Sequence, residues 1–335
     1  MTSSELSHAA MEADITVVIC AYTEERWGDI LAAVDSARAQ TLRPREIVLV
    51  VDHNPELLRR ARASIPGVTV LENIDRRGLS GARNTALGAV TTRLVAFLDD
   101  DAIAAPDWLE NLHAHLRSDN VLGVGGWVEP MWTCPRPRWF PDEFLWVLGC
   151  SYRGLPSATA VVRNPFGGCA CLRTDIFNSI GGYRTEIGRI GTRPLGCEET
   201  ELSIRASQQW PTRVWKFEPA ARIEHKVTAA RARWSYFRAR CYAEGLSKAW
   251  LAWHLGSRDG LSAERSYVTR TLPLGVARGI RDGLRGDAGG FGRAAAIVFG
   301  LGCTATGYAV GTLAQARQTR TEHKRVAVGS PEVTP

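Results

Sequence analysis

The chain has 335 residues, 45% of them hydrophobic, enough to bury a core in one large domain or two smaller ones, as a globular enzyme does. Its formal net charge is +6, with much of the basic surplus in the last third around "RARWSYFRARC", "RGIRDGLRGD" and "RTEHKR". Such a bias suits anionic lipid or an anionic substrate, and its diffuse spread without a nucleic-acid-binding signature argues against nucleic acid.

The first residues, "MTSSELSHAAMEAD", lack the basic and apolar regions of a secretory signal. "DITVVICAY" is a short β-branched run, "WGDILAAVDSARAQT" has helical periodicity, and "REIVLVVD" is a second buried strand. "ELLRRARASI" reads as a helix, "GVTVLEN" as a strand, "SGARNTALGAV" as a helix and "RLVAFLDD" as a strand. Strands alternating with helices, each strand apolar along nearly its whole length, predict an α/β fold with a mostly parallel central sheet and helices on both faces. Functional groups in such folds gather at the carboxyl ends of the strands. Thr23, Glu24, Asp52 and residues 99–101 should therefore meet along one edge.

Residues 127–156, "WVEPMWTCPRPRWFPDEFLWVLGCSYRGLP", interrupt the alternation with Pro and Trp, and read either as a substrate-facing loop or as an aromatic packing cover. "ATAVVRNPFGGCACLRTDIFNSIGGY" offers a strand, a Gly-Gly bend and a helix ending at Gly181-Gly182. "EETELSIRASQQ" is a helix with Glu198, Glu199 and Glu201 in its first turn, and "TRVWKFEPAARIEHK" is extended and reaches His225. "WSYFRARCYAEGLSKAWLAWHL" has helical spacing with a mixed aromatic and basic face. Residues 294–316 then run 23 positions without a charge, long enough to cross a bilayer or to form a buried soluble helix; Gly307 and Gly311 supply a small-xxx-small pair. The eight cysteines are scattered, and Cys169-Ala170-Cys171 lacks the spacing of a zinc site, so they read as reduced thiols.

Three adjacent carboxylates, Asp99, Asp100 and Asp101, end one strand. Their mutual repulsion calls for a cation or solvation, unless they only cap the next helix. With Glu198, Glu199 and His225 they form a hard donor set that suits Mn2+ or Mg2+. A cation there would favour a diphosphate ligand.

At this point the chain resembles the family 2 glycosyltransferases, which have the GT-A fold. The resemblance runs from about Ile15 to His225 through "VVICAYTEE", "IVLVVD", "RGLSGARNTAL", "FLDDDAIAAPDWL", "FGGCACLRTDIFNSIGGY" and "CEETELSIR", in family order. It implies that Ala21, Tyr22, Glu24 and Asp52 hold the nucleotide's base and ribose, with Arg83 near the phosphates and Asp100 facing the ribose or the metal shell. "FLDDD" looks like the family's DxD motif, which makes Asp99, Asp101 and the later His225 metal ligands. "CEETEL" looks like its Glu-Asp catalytic motif with Glu in place of Asp. Glu199 is then the counterpart of the base, with Glu198 as the alternative. Trp127, Gly167, Gly168 and Glu198 fall on the substrate side.

"VVDHNPEL", "FPDEFLWVLGCSYRGLP", "VRNPFGG" and "YAEGLSKA" look like the branch that includes glucosyl-dolichyl-phosphate glucuronosyltransferases. That likeness implies a UDP-linked donor, with glucuronate as the candidate sugar, a polyprenyl-phosphate-linked sugar acceptor, and work at the cytoplasmic face of the cell membrane. The nearest match to the processive family's (Q/R)xxRW motif is "ARARW", which implies transfer of one sugar. The expected organisation is a flexible start (1–13), a catalytic domain (14–228), a helical extension (229–260), a membrane-associated helical segment (261–316) and a polar tail (317–335). The competing readings are a sugar-nucleotide pyrophosphorylase, against which stands the lack of an early Gly-rich signature, and a non-catalytic membrane adaptor that has kept the fold.

Overall fold

In the computed structural model, which describes residues 12–189, 195–256 and 264–328, the first hundred residues follow the alternation of the sequence. Strands β1 (Glu12–Ala21), β2 (Arg43–Val51), β3 (Thr69–Glu72) and β4 (Leu94–Asp99) are joined by helices α1 (Trp27–Arg38), α2 (Pro55–Ser64) and α3 (Leu79–Ala89). Both faces of β1, β2 and β4 are apolar because both are covered, whereas β3 is a partly exposed edge strand. Ile15, Val17 and Ile19 pack with Ile30 and Val34 of α1 on one side, while Val18 packs with Ala82 and Ala86 of α3 on the other. Asn54 caps α2 by accepting from the Leu57 amide, and Pro55 follows at a first-turn position where no amide is needed.

The remaining strands are β5 (Ala102–Ala104), β6 (Val121–Trp132), β7 (Ala160–Val162), β8 (Cys169–Arg173) and β9 (Val214–Val227). The sheet order is β3-β2-β1-β4-β8-β6-β9-β5, with β7 also on β9. Pairing is parallel from β3 through β4; β8 then runs antiparallel to both β4 and β6, so the sheet is mixed beyond its parallel half. Apolar runs report burial on two faces, and a central antiparallel strand satisfies that as well as a parallel one. The helices of this half are α4 (Trp108–Leu116), α5 (Asp175–Ile180) and α6 (Glu198–Gln209).

Three expectations need correction. Residues 127–132 are the second half of β6, not part of an irregular loop. The Gly-Gly pair inside that strand resembles a breaker, yet it permits close approach: a Cβ on Gly126 would lie 2.1 Å from the Ala221 carbonyl oxygen. The flexible start ends earlier than residue 13, since Glu12 and Ala13 already belong to β1. The segment 317–335 begins as helix, because α9 (Gly289–Val328) continues through residues rich in Arg, Gln, Glu and Lys, which favour it. Residues 1–11 of the start, 190–194, 257–263 between the two C-terminal regions, and 329–335 of the tail lie outside the described residues.

Helices α7 (Trp234–Leu255), α8 (Leu272–Leu284) and α9 form a helical layer against the sheet domain. Glycines set the approach of α7 to α9: a Cβ on Gly245 would fall 2.1 Å from the Thr304 carbonyl oxygen, and one on Gly307 would fall 2.1 Å from that of Tyr242. The small-xxx-small pair thus packs a helix of the same chain. The aromatic segment before β7 is mainly a packing cover, with Trp139 against Phe140, Trp234 and Phe237, although its 3-10 turn Asp142–Leu148 also presents Phe144 and Trp146 to a large cavity.

Candidate active site

Strand register brings the acidic residues together. Cys20 pairs with Asp99 across β1 and β4, so Ala21 and Tyr22 emerge beside the three aspartates. Antiparallel pairing of β5 with β9 sets Ala102 opposite His225, which carries an imidazole from over a hundred residues downstream to Asp101. Asp52 ends β2 in the same crevice, where its Oδ1 accepts from Asn73 Nδ2 at 2.6 Å and its Oδ2 from the Gly78 amide at 3.0 Å. Ala21, Tyr22, Asp52, the three aspartates and His225 border one cavity of about 1050 Å³ that continues past α6 to α7 and α9.

Donor atoms of Asp99, Asp101 and His225 lie within 4.8 Å of one another. Two hard carboxylates and one imidazole fit Mn2+ or Mg2+. His225 Nε2 stands 3.1 Å from Asp101 Oδ1; Arg231 Nη2 and Arg26 Nη1 approach Asp101 Oδ2 at 3.3 and 3.1 Å. Burial pushes the Asp101 carboxyl up, but these three cationic neighbours outweigh it and hold it well below the usual carboxylate range. Burial lowers His225 and Asp101 more than reverses it, to about 10. Asp100 turns to Arg26, 2.6 Å from its Oδ1, yet burial beside two other aspartates lifts it to about 7.

Gly167 and Gly168 do more than bend the chain before β8. A Cβ on Gly168 would sit 2.2 Å from Asp99 Oδ2, and one on Gly167 would sit 2.9 Å from an Arg83 nitrogen. Only glycine leaves both side chains where they are. Arg83 is buried, with Nη1 3.4 Å from Glu198 Oε1 and its guanidinium over the rings of Phe97 and Tyr183. Glu198 thereby holds Arg83, while Glu199, the next residue on α6, faces the cavity without an ion-pair partner among the described residues. Burial, and then the Glu198 charge, push the Glu199 carboxyl up to about 8 against the pull of Arg83. The two adjacent glutamates therefore differ in kind. A carboxyl with this raised affinity for protons, in a cleft, has the character of a general base.

The sequence pattern of Glycosyl transferase family 2 matches residues 16–181. A glucosyl-dolichyl phosphate glucuronosyltransferase of Haloferax volcanii is 35% identical over 238 residues, covering 70% of this chain and 76% of that protein. The chain belongs to glycosyl transferase family 2. This glycosyltransferase is also 25% identical over 269 residues to the succinoglycan biosynthesis protein ExoM of Rhizobium meliloti, covering 76% of the chain and 84% of that protein. A mannosyltransferase from Pyrobaculum calidifontis, solved in complex with GDP-Man and Mn2+, superposes with a TM-score of 0.56 at 19% identity, over 90% of this chain and 87% of that one. The fold is thus GT-A-like.

Of the residues expected at the site, the glycosyltransferase brings Ala21, Tyr22, Asp52, Arg83, Asp99, Asp100, Asp101, Gly167, Gly168, Glu198, Glu199 and His225 to the cavity. Glu24 and Trp127 are corrections, since neither lines it. Glu24 lies in a short turn before α1, and the Trp127 indole donates to Glu129 at 2.7 Å beside the Phe217 ring. Of the nearby arginines, Arg153 pairs with Asp142 and Arg184 with Glu201, whereas Arg163 and Arg189 reach the cavity, where they are placed to meet an anionic group. Sequence reasoning missed Arg26, Arg231, Arg240, Glu244 and Lys248. The last three stand at i, i+4 and i+8 of α7, a spacing that marks one face of a helix.

Proposed function

We propose that this family 2 glycosyltransferase moves one sugar, with inversion, from a UDP-linked donor to a polyprenyl-phosphate-linked sugar, with glucuronate as the candidate donor sugar. The observation that carries the reading is the raised carboxyl of Glu199 across one cavity from Asp99, Asp101 and His225. Glu199 accepts the proton of the acceptor hydroxyl as its oxygen bonds to the anomeric carbon, and the bond from that carbon to the nucleotide diphosphate breaks on the opposite side. Asp52 and Tyr22 flank the nucleotide, and Arg83 holds a positive charge beside its phosphates. Asp99, Asp101 and His225 hold the cation, Mn2+ or Mg2+. Bound there, it neutralises the acidic set and stabilises the charge of the departing diphosphate. The Haloferax relative is named for a dolichyl phosphate acceptor, and the Pyrobaculum structure contains a sugar nucleotide with Mn2+. The first supports the lipid-linked acceptor and the second a sugar-nucleotide donor with Mn2+, while the apolar part of α9, Gly289–Arg317, of mean hydropathy 1.5, supports membrane association.

A thermal-shift series with UDP-, GDP- and dTDP-sugars, each with Mn2+, Mg2+ or EDTA, tests the donor half, because a ligand bound to the native state raises apparent stability. A metal-dependent shift lost in Asp101→Ala supports it. Folded protein that responds to no pair contradicts it.

A further inference from the structure

A second charged cluster, which the donor chemistry does not use, lines the same cavity as Glu199. Arg240 Nη1 is 2.9 Å from Glu244 Oε2, and Lys248 Nζ is 3.5 Å from Glu244 Oε1. Lys248 also contacts Glu264, and Arg163 grips the same Glu264 carboxylate with two nitrogens at 2.9 and 3.1 Å. The Arg240 and Lys248 side chains are only 11% exposed. Glu244 touches the start of α6, with Cys197 Sγ 3.4 Å from its Oε1, so the cluster abuts the residue two places before Glu199. Among the described residues, Arg163, Arg240 and Lys248 thus gather around the Glu244 and Glu264 carboxylates at the cavity wall.

The same cavity is apolar beyond the cluster. Leu301, Thr304, Ala305 and Tyr308 of α9 line it at helical spacing, together with Phe144 and Trp146. Ala305 is also exposed, on a stripe of α9 with Val298, Phe299, Val310 and Leu313, all open to the outside. The cavity therefore opens beside a charge-free outer face. A ligand that fits is an amphiphile with an anionic head and a long apolar chain.

Building on the lipid-linked acceptor proposed above, we infer that Arg163, Arg240 and Lys248 bind the phosphate of an isoprenoid-phosphate acceptor whose chain leaves past Leu301 and Tyr308 toward the outer face of α9. Glu264 stands in the pocket as a competing oxyanion. Its two-point grip by Arg163 is the geometry in which a guanidinium takes a phosphate. The sugar carried by the acceptor then lies between this pocket and Glu199.

Binding of farnesyl phosphate to the full chain in EDTA, measured by calorimetry beside farnesol and inorganic phosphate, tests the inference; binding of UDP and GDP with Mn2+ is followed in parallel. The expected result is that farnesyl phosphate binds at least tenfold more tightly than either fragment, and that Lys248→Met weakens it at least tenfold with nucleotide affinity unchanged. Arg163→Gln gives the same readout should Lys248→Met fail to fold, and Lys248→Arg should retain binding. Glu264→Gln should tighten binding severalfold. Unchanged farnesyl phosphate affinity in both charge-removing variants overturns the pocket, as does inorganic phosphate binding equally well. A wild-type chain that binds nucleotide with Mn2+ and not farnesyl phosphate overturns the inference while leaving glycosyl transfer standing. Failure to bind any nucleotide would instead remove the reading on which it rests.

Discussion

Glu199 and Glu198 are neighbours on one helix turn, yet only one of them is paired to a buried arginine. If Glu199 is the base, as proposed, Glu199→Gln should lower kcat by about 10² to 10⁴ while leaving donor binding intact, measured by initial rates and nucleotide titration. Since the Glu199 carboxyl is raised to about 8, it holds its proton at neutral pH, and kcat/KM should climb as pH rises through that value. The same group binds its proton more tightly in the folded chain than in the unfolded one, where a glutamate titrates near about 4.3. Its contribution to stability is therefore complete below that lower value and is lost as pH rises through about 8. At Gly168, a methyl group would collide with the Asp99 carboxylate. Gly168→Ala should weaken Mn2+-dependent nucleotide binding by at least about tenfold with little loss of fold, read by calorimetry and circular dichroism; unchanged affinity would show that Asp99 does not need its present position. The motif "FGGCACL" was legible as a sequence, but the reason for its two glycines appears only where they meet Asp99 and Arg83.

Secondary-structure elements explain which residues of the candidate site were visible in advance. Strands β1, β2 and β4 could be read because each is an apolar run followed by a polar end, and their carboxyl termini delivered Ala21, Asp52 and Asp99. β5 has only three residues and β6 contains a Gly-Gly pair, so neither has a periodic signal, yet the β5–β9 register is what seats His225 beside Asp101. Helix α7 was legible as a helix; its inward charged face, Arg240, Glu244 and Lys248, was not singled out because its function depends on the partner helix and the α6 loop. The α7–α9 contact makes a prediction of its own. Gly245→Leu forces side-chain atoms into the α9 backbone and should cost about 1–3 kcal/mol of stability, seen as a lower midpoint of denaturant unfolding. A substitution absorbed without change would mean that the two helices separate freely.

For the whole molecule, the exposed large apolar side chains are concentrated in the C-terminal layer, including Leu274, Ile280, Leu284, Phe291, Val298, Phe299, Val310 and Leu313. The opposite side of α9 is packed, with Ala296, Ile297, Gly307 and Gly311 buried. A helix packed on one side and apolar on the other fits a bilayer interface better than a span surrounded by lipid. Leu284→Asp combined with Leu313→Asp should therefore reduce sedimentation with phosphatidylglycerol vesicles about tenfold or more. Binding of the parent should weaken with salt, given the net charge of +6. Vesicle binding equal in parent and variant would exclude this face.

The sequence by itself determined the alternating fold, the acidic strand end and the Glu-Glu helix start, because local periodicity and motif order are properties of contiguous residues. It also set the uncharged length of α9, though not what that length is used for. Tertiary structure alone decided that Glu198 pairs with Arg83 and leaves Glu199 to face the cavity, and that His225 stands against Asp101. It also decided that the face of α7 bearing Arg240 and Lys248 joins the same cavity as the aspartates. Each of these depends on strand register or helix packing between segments far apart in the chain. Burial and neighbouring charge, which set proton affinity, exist only after that packing has formed.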